Sequence, residues 1–254
     1  MPLLEVLNLT KDFGGLRAVD RLFFHINEGE ILGLIGPNGA GKTTVFNLIS
    51  GVYAPTSGEI KYKGTVISGL KPHKIAQMDI VRTFQQTSLF QGMTVLENVA
   101  LGGHFKSGIG IFETVAQSRA LKTKMEKQME QSMKILTTLG LDKFMDEMPT
   151  SLPYGHQRTL GVAVALATKP ALLLLDEPVT GMNPEETAHM MKLIQRIREE
   201  GITVLLVEHD MKMVMGICDR IVAISFGKKL TEGNPEEVRN NEEVIKAYLG
   251  SKKF

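Results

Sequence analysis

Cysteine occurs once in the 254 residues, at Cys218, so no internal disulfide can form and the chain fits a reducing compartment. Charge of one sign is not in excess. The 29 Lys and Arg against 28 Asp and Glu leave a formal charge of +1, which argues against a nucleic-acid binder, since such proteins carry a basic excess or stripe. Long apolar runs are missing as well. The longest, around Leu160 to Ala167 and Ala171 to Leu175, fall far short of the roughly 20 residues that cross a bilayer. The opening MPLLEVLNL lacks a basic start and carries Glu5 early, so no secretory leader is expected. There is no low-complexity segment and no internal repeat. What remains is an ordinary globular composition, 43% hydrophobic and 22% charged, long enough for one α/β domain with a smaller lobe. If the protein works at a membrane, something else must hold it there.

Periodicity sorts the chain into elements. Leu4 to Leu9, Leu22 to Ile26 and Ile31 to Ile35 read as short strands between turn residues such as Gly14-Gly15 and Glu28-Gly29, and these suggest an antiparallel edge sheet. Lys42 to Ser50 reads as a helix closed by Gly51, and Gly58 to Tyr62 and Ile80 to Phe84 as further strands. After Gln85-Gln86 the pattern turns helical, over Thr94 to Gly102 and roughly 113–139. In the second of these, Leu121, Met125, Met129, Met133 and Leu136 recur three or four apart, a stripe expected to be buried against the helical lobe rather than to face a partner. Strand–helix alternation resumes with Leu172 to Leu175, Pro184 to Glu199, Thr203 to Val207, a helix over 210–217 and a strand over 220–225. The expectation is a single α/β domain over 1–254, with residues 87–168 as a helical subdomain within it.

Two stretches carry chemistry. GPNGAGKTT, residues Gly36, Pro37, Asn38, Gly39, Ala40, Gly41, Lys42, Thr43 and Thr44, follows a strand and opens a helix, as a Walker A phosphate-binding loop must. Glycines let backbone N–H groups close on phosphate oxygens, and the helix N-terminus adds positive potential. Lys42 supplies a charge for the β/γ-phosphates, and Thr43 a hydroxyl for Mg²⁺. In LLLLDE, Leu172 to Glu177, an apolar strand buried on both faces ends in two carboxylates that are costly to hide without a cation or a reaction. Asp176 suits the Mg²⁺ shell, and Glu177 suits orienting a water against the γ-phosphate of ATP.

The ordered set of GPNGAGKTT, Gln85, LPYGHQ, LLLLDEP and the histidine of VEHD, from about residue 3 to 250, resembles an ABC-transporter ATP-binding subunit. That resemblance implies a RecA-like P-loop core with an antiparallel β subdomain and a helical insert. It implies that Phe13 stacks on adenine, that Gln85 senses Mg²⁺ and the attacking water at the hinge to the helical lobe, and that His209 contacts the γ-phosphate. LPYGHQ stands where the family has LSGGQ, which opens a helix that binds phosphate. One chain already has a complete triphosphate seat, so Tyr154, Gly155 and His156 would serve the ATP of a second subunit in a head-to-tail pair. Pro153 replaces the family's serine and can donate nothing, a loss of about 1.5–3 kcal/mol if nothing replaces it. Proline at the first helical position is otherwise tolerated. Either the partner's site is slower, or Tyr154 or His156 compensates.

The tyrosine of LPYGHQ, GMNP at Gly181 to Pro184 and the helical segment 104–139 are similar to Liv-type importers of branched-chain amino acids. Such importers pair two similar but distinct ATPases with two transmembrane permease subunits and a binding protein. The chain would then sit at the cytoplasmic face of the plasma membrane through the permeases, without touching the transported substrate. No room for a regulatory domain is expected after residue 250. Close relatives import urea or short amides, a choice made by other subunits, and lipid or lipopolysaccharide export shares every catalytic residue. A non-transport ABC ATPase acting on DNA or ribosomes fits less well, given one ATPase unit, a short insert and a charge of +1.

Overall fold

The computed structural model describes residues 2–83, 89–107 and 119–250. They form two compact units, one of residues 1–82, 171–180 and 187–254, the other of 83–170 and 181–186.

In the first unit, β1 (Leu4–Phe13), β2 (Leu16–Ile26), β4 (Ser57–Tyr62) and β5 (Thr65–Val66) form an antiparallel sheet in the order β2-β1-β4-β5. β1 and β2 run longer than their apolar alternation suggests. Polar residues such as Lys11, Asp12 and Arg17 pair across the ladder, and backbone pairing continues where side-chain alternation fades. β3 (Ile31–Ile35), expected with the antiparallel strands, is instead a central parallel strand of a second sheet ordered β10-β9-β3-β8-β7-β6, where its wholly buried run is covered on both faces. There β6 (Ile80–Arg82), β7 (Leu172–Asp176), β8 (Thr203–Val207), β3 and β9 (Arg220–Ser225) are parallel, and β10 (Lys228–Gly233) is an antiparallel edge. Every residue of β3, β7 and β8 is buried, which is why these strands read as unbroken Ile, Leu and Val runs. Helices α1 (Lys42–Ile49), α2 (Pro72–Gln77), α7 (Met211–Ile217), α8 (Pro235–Arg239) and α9 (Glu242–Gly250) belong to this unit. The core joins both sheets through side chains such as Leu4, Leu34, Phe46 and Leu205.

The second unit is helical, with α3 (Val95–Ser107), α4 (Arg119–Thr138) and α5 (Tyr154–Ala167). A capping box opens α3: Thr94 Oγ1 accepts from Glu97 N, and Glu97 Oε2 accepts from Thr94 N. Gly102 lets α3 approach α5, for a Cβ there would stand 2.5 Å from the Val164 carbonyl oxygen. The remaining helix, α6 (Pro184–Glu199), starts behind the Asn183 cap.

The methionine stripe is not where its period suggests. Met125, Met129 and Met133 of α4 are 57%, 39% and 44% exposed, so their expected burial is corrected. Leu136, the last of the stripe, is buried as expected, and the covered face beside it carries Ser132, one residue before Met133. Two polar residues on that face are satisfied by backbone: Gln128 donates to Ala100 O, and Ser132 Oγ to Gln128 O. Residue 121's side chain and the predicted helical segment 113–118 lie outside the described residues, as does Phe84 at the expected end of β6.

This sets a contrast in stability. Leu136→Ala empties a buried site and should cost about 2–5 kcal/mol in urea unfolding. Met133→Ala, three residues away on the exposed side, should stay within about 0.5 kcal/mol of wild type.

Candidate functional site

β3 delivers the phosphate loop at the C-terminal edge of the parallel sheet. Gly36 follows Ile35, and α1 begins at Lys42 behind Gly41, whose φ of 104° is left-handed. Glycine is required at both ends of the loop. A Cβ on Gly36 would lie 2.2 Å from the Ile224 carbonyl oxygen, and one on Gly41 2.6 Å from that of Ala18. Between them, Ala40 N donates to Pro37 O, and Ala40 O accepts from Gly227 N of the β9–β10 turn. Asn38 and Gly39 are exposed. Lys42 is buried, and its ammonium donates to the carbonyls of Gly36 at 2.6 Å and Pro37 at 3.1 Å. The charge is folded back over the mouth of its own loop. Burial pulls the Lys42 pKa below the usual lysine value, while Glu177 and then Asp176 oppose that shift. Thr43 is exposed and Thr44 half-buried at the first turn of α1.

β7 delivers the acidic pair to the same edge. Asp176 is 2% exposed, and its Oδ2 accepts from Arg82 Nη2 at 2.6 Å. Arg82 in turn donates through Nη1 to Asn47 Oδ1 of α1, also at 2.6 Å. The other oxygen of Asp176, Oδ1, is buried with no hydrogen-bond partner. Glu177 has a φ of 48°, an unusual backbone for a side chain of its size and a form of strain that gathers at functional sites. Its N–H donates to Val207 O at the end of β8, and its Oε2 accepts from Thr180 Oγ1. Val207 leads into Glu208, which is wholly buried, and His209, whose side chain is 58% exposed.

Phe13 is 40% exposed and meets Tyr53 edge-on, with ring centroids 5.2 Å apart. LPYGHQ lies in the second unit. Pro153 is the residue before the helix, with an extended ψ of 151°, rather than its first helical position, so the expected placement moves by one and Tyr154 opens α5. No side chain caps this terminus. The first rung of its ladder runs from Gln157 N to Pro153 O, leaving the N–H groups of Gly155 and His156 outside it. The Tyr154 hydroxyl accepts from Arg158, and the His156 ring meets Phe144 edge-on at 4.9 Å. Gly155 faces Glu186, whose Oε1 lies 2.6 Å from the place of a Cβ. Gln85 lies outside the described residues.

Arg82, Asn47, Glu208 and Glu186 were not singled out from the sequence. Glu208 carries the signal that marked Asp176, an acid ending an apolar strand. Arg82 gave none beyond standing three residues before Gln85.

The donor set fits a magnesium ion. The described residues hold no group of three or more His, Cys, Asp or Glu that could cage a metal. Mg²⁺ bound with nucleotide takes one or two protein oxygens plus phosphates and water, and the buried Asp176 Oδ1, without a hydrogen-bond partner, would suit one such place.

The sequence and fold match known proteins along nearly their whole length. The family model for the ABC transporter covers residues 19–180, and that for the branched-chain amino acid ATP-binding cassette transporter covers 228–253. The chain belongs to the ABC transporter family of ATP-binding cassettes. It is 44% identical over 98% of both chains to the high-affinity branched-chain amino acid transport ATP-binding protein BraF of Pseudomonas aeruginosa. LivG of Escherichia coli (strain K12), with the same description, is 43% identical over 98% of both. Among solved structures, the ADP conformation of MJ1267, an ATP-binding cassette of an ABC transporter, gives a TM-score of 0.85 at 28% identity. That match covers 98% of this chain and 99% of the other.

Removing Arg82 tests how the site is braced. Arg82→Ala leaves the Asp176 carboxylate buried without its ionic partner and should cost about 3–5 kcal/mol in denaturant unfolding. Arg82→Lys should recover part of that loss, because it keeps the charge but not the fork that reaches both Asp176 and Asn47.

Proposed function

We propose that this chain is the ATP-hydrolysing motor subunit of an importer for branched-chain or related amino acids. The observation that carries the reading is the delivery of the Gly36–Thr44 loop, Asp176-Glu177 and His209 to one edge by β3, β7 and β8. In this reading the loop N–H groups and Lys42 hold the ATP phosphates, and Thr43 and Asp176 Oδ1 hold Mg²⁺. The ion, when bound, neutralises charge that develops on the phosphates. Glu177 orients the attacking water and takes its proton, and His209 steadies the γ-phosphate. Gln85 would join the water and the ion, and Phe13, beside Tyr53, would stack on adenine.

The substrate class rests on the BraF and LivG relatives and on the match of the branched-chain model at 228–253. Lipopolysaccharide export is the weaker alternative, since LptB of Haemophilus influenzae is 32% identical. No helix among the described residues is long and apolar enough to cross a membrane. Two permease subunits would therefore hold the chain at the inner face of the plasma membrane and choose the substrate with a binding protein. The second ATPase would be a distinct sister arranged head to tail. The related cassette MJ0796, 28% identical over 91% of this chain, has a structure described as dimeric. Tyr154, Gly155 and His156 would then meet the sister's ATP at the uncapped start of α5.

Calorimetry and turnover separate binding from chemistry. Lys42→Ala should weaken Mg-ATP binding by about 1.5–3 kcal/mol, and unchanged affinity would move the nucleotide elsewhere. Glu177→Gln should keep that affinity and slow hydrolysis by roughly 10²- to 10⁴-fold.

The head-to-tail arrangement needs a separate test. Gly155→Asp sets a carboxylate against the incoming phosphate, but also against this chain's own Glu186. It should be made beside Glu186→Ala, which removes the internal clash for about 1 kcal/mol of lost helix capping. With Glu177→Gln in this chain, hydrolysis runs on the sister's phosphate loop, and Gly155→Asp should nearly silence it. With the sister's catalytic carboxylate removed instead, hydrolysis at Lys42 and Glu177 should survive. Equal loss in both arrangements excludes the sandwich.

A further inference from the structure

Glu208 has no exposed surface, and the hydrogen bonds its side chain accepts come from backbone N–H groups. Its Oε1 accepts from Val179 N at 3.1 Å, and its Oε2 from His209 N at 2.8 Å and Asp210 N at 3.2 Å. The same Oε2 lies 3.6 Å from His209 Nδ1. One carboxylate thus joins two loops. One begins at Glu177, two residues before Val179, and the other carries His209. A second bond, Glu177 N to Val207 O at 2.9 Å, ties the same loops at the strand ends. Asp210 completes the brace by capping α7, accepting from Lys212 N and Met213 N.

We infer that Glu208 is a positioning residue for ATP hydrolysis: it fixes the His209 loop against the Glu177 loop, so that both side chains reach the γ-phosphate together. The inference rests on the roles given above to Glu177 and His209. A carboxylate is needed because both oxygens must accept. An amide presents one acceptor and one donor, so it abandons either Val179 or the His209–Asp210 pair and turns its own N–H groups toward a backbone donor. The phosphate loop of Gly36–Thr44 makes none of these bonds, so nucleotide affinity should not follow the change.

The test uses the full chain assembled with its transporter. Glu208→Gln should lower kcat by roughly 10- to 100-fold, the cost of a displaced catalytic group, with KM for ATP and Mg-ATP affinity unchanged. Glu208→Asp still accepts from its own loop but falls short of Val179, and its kcat should lie between those of wild type and Glu208→Gln. If Glu208→Gln fails to fold, the aspartate variant carries the same comparison. In NMR of the isolated ¹⁵N-histidine-labelled chain, the ring signals of His209, assigned from the His209→Ala spectrum, should shift in Glu208→Gln while those of His73 stay. Wild-type kcat, a loss expressed only through KM, or unmoved His209 signals would overturn the inference. His209→Ala and Glu177→Gln run alongside. If both turn over like wild type, the hydrolytic reading itself falls, and this inference with it. If both are slow while the Glu208 variants are not, only the role of Glu208 is lost.

Discussion

The register of one parallel sheet governs the rest of this structure. Leu32 pairs with Leu205, and Leu205 with Leu174, so β3, β8 and β7 advance together and end at one edge. Everything chemically unusual follows those ends: the glycine loop after Ile35, the acidic pair at Asp176, and Glu208-His209 after Val207. A shift of one residue in any strand would turn its side chains to the other face. The full burial of these strands on both faces makes such a shift costly.

On that frame the site is held by charges that do not compete for the nucleotide. Arg82 occupies one oxygen of Asp176 and leaves the other bare, so the aspartate is oriented without being used up. Lys42 rests on the carbonyls of Gly36 and Pro37, weaker partners than a triphosphate. Its burial lowers its pKa, and an incoming polyanion would oppose that shift. Glu177 keeps its left-handed backbone because Val207 and Thr180 hold it at both ends.

Much of this was legible in the sequence because it is local. GPNGAGKTT and LLLLDE declare their strand, turn and helix within a few residues. The α4 methionines show the limit of periodicity. An apolar stripe at i, i+4, i+8 marks a face but does not say which face is covered. Gln128 and Ser132 occupy the covered one, because backbone carbonyls satisfy them there. The bonds of Arg82 and Glu208 were illegible for a different reason. Their partners are Asn47, Asp176 and Val179, brought to them only by the fold, and no local pattern names such a bond. Pro153 moved by one place because proline's fixed φ suits the residue before a helix as well as its first turn.

The central claim is that three strand ends build one Mg-ATP site. The most direct measurement is an experimental structure of the Glu177→Gln chain with Mg²⁺ and ATP. The account predicts the β- and γ-phosphates within the Gly36–Thr44 loop, with Lys42 released from its carbonyls onto them. It also predicts the ion on Thr43 and Asp176 Oδ1, with Arg82 still on Oδ2, and His209 at the γ-phosphate. Nucleotide bound elsewhere, or an ion that leaves Asp176 Oδ1 without a ligand, would contradict it.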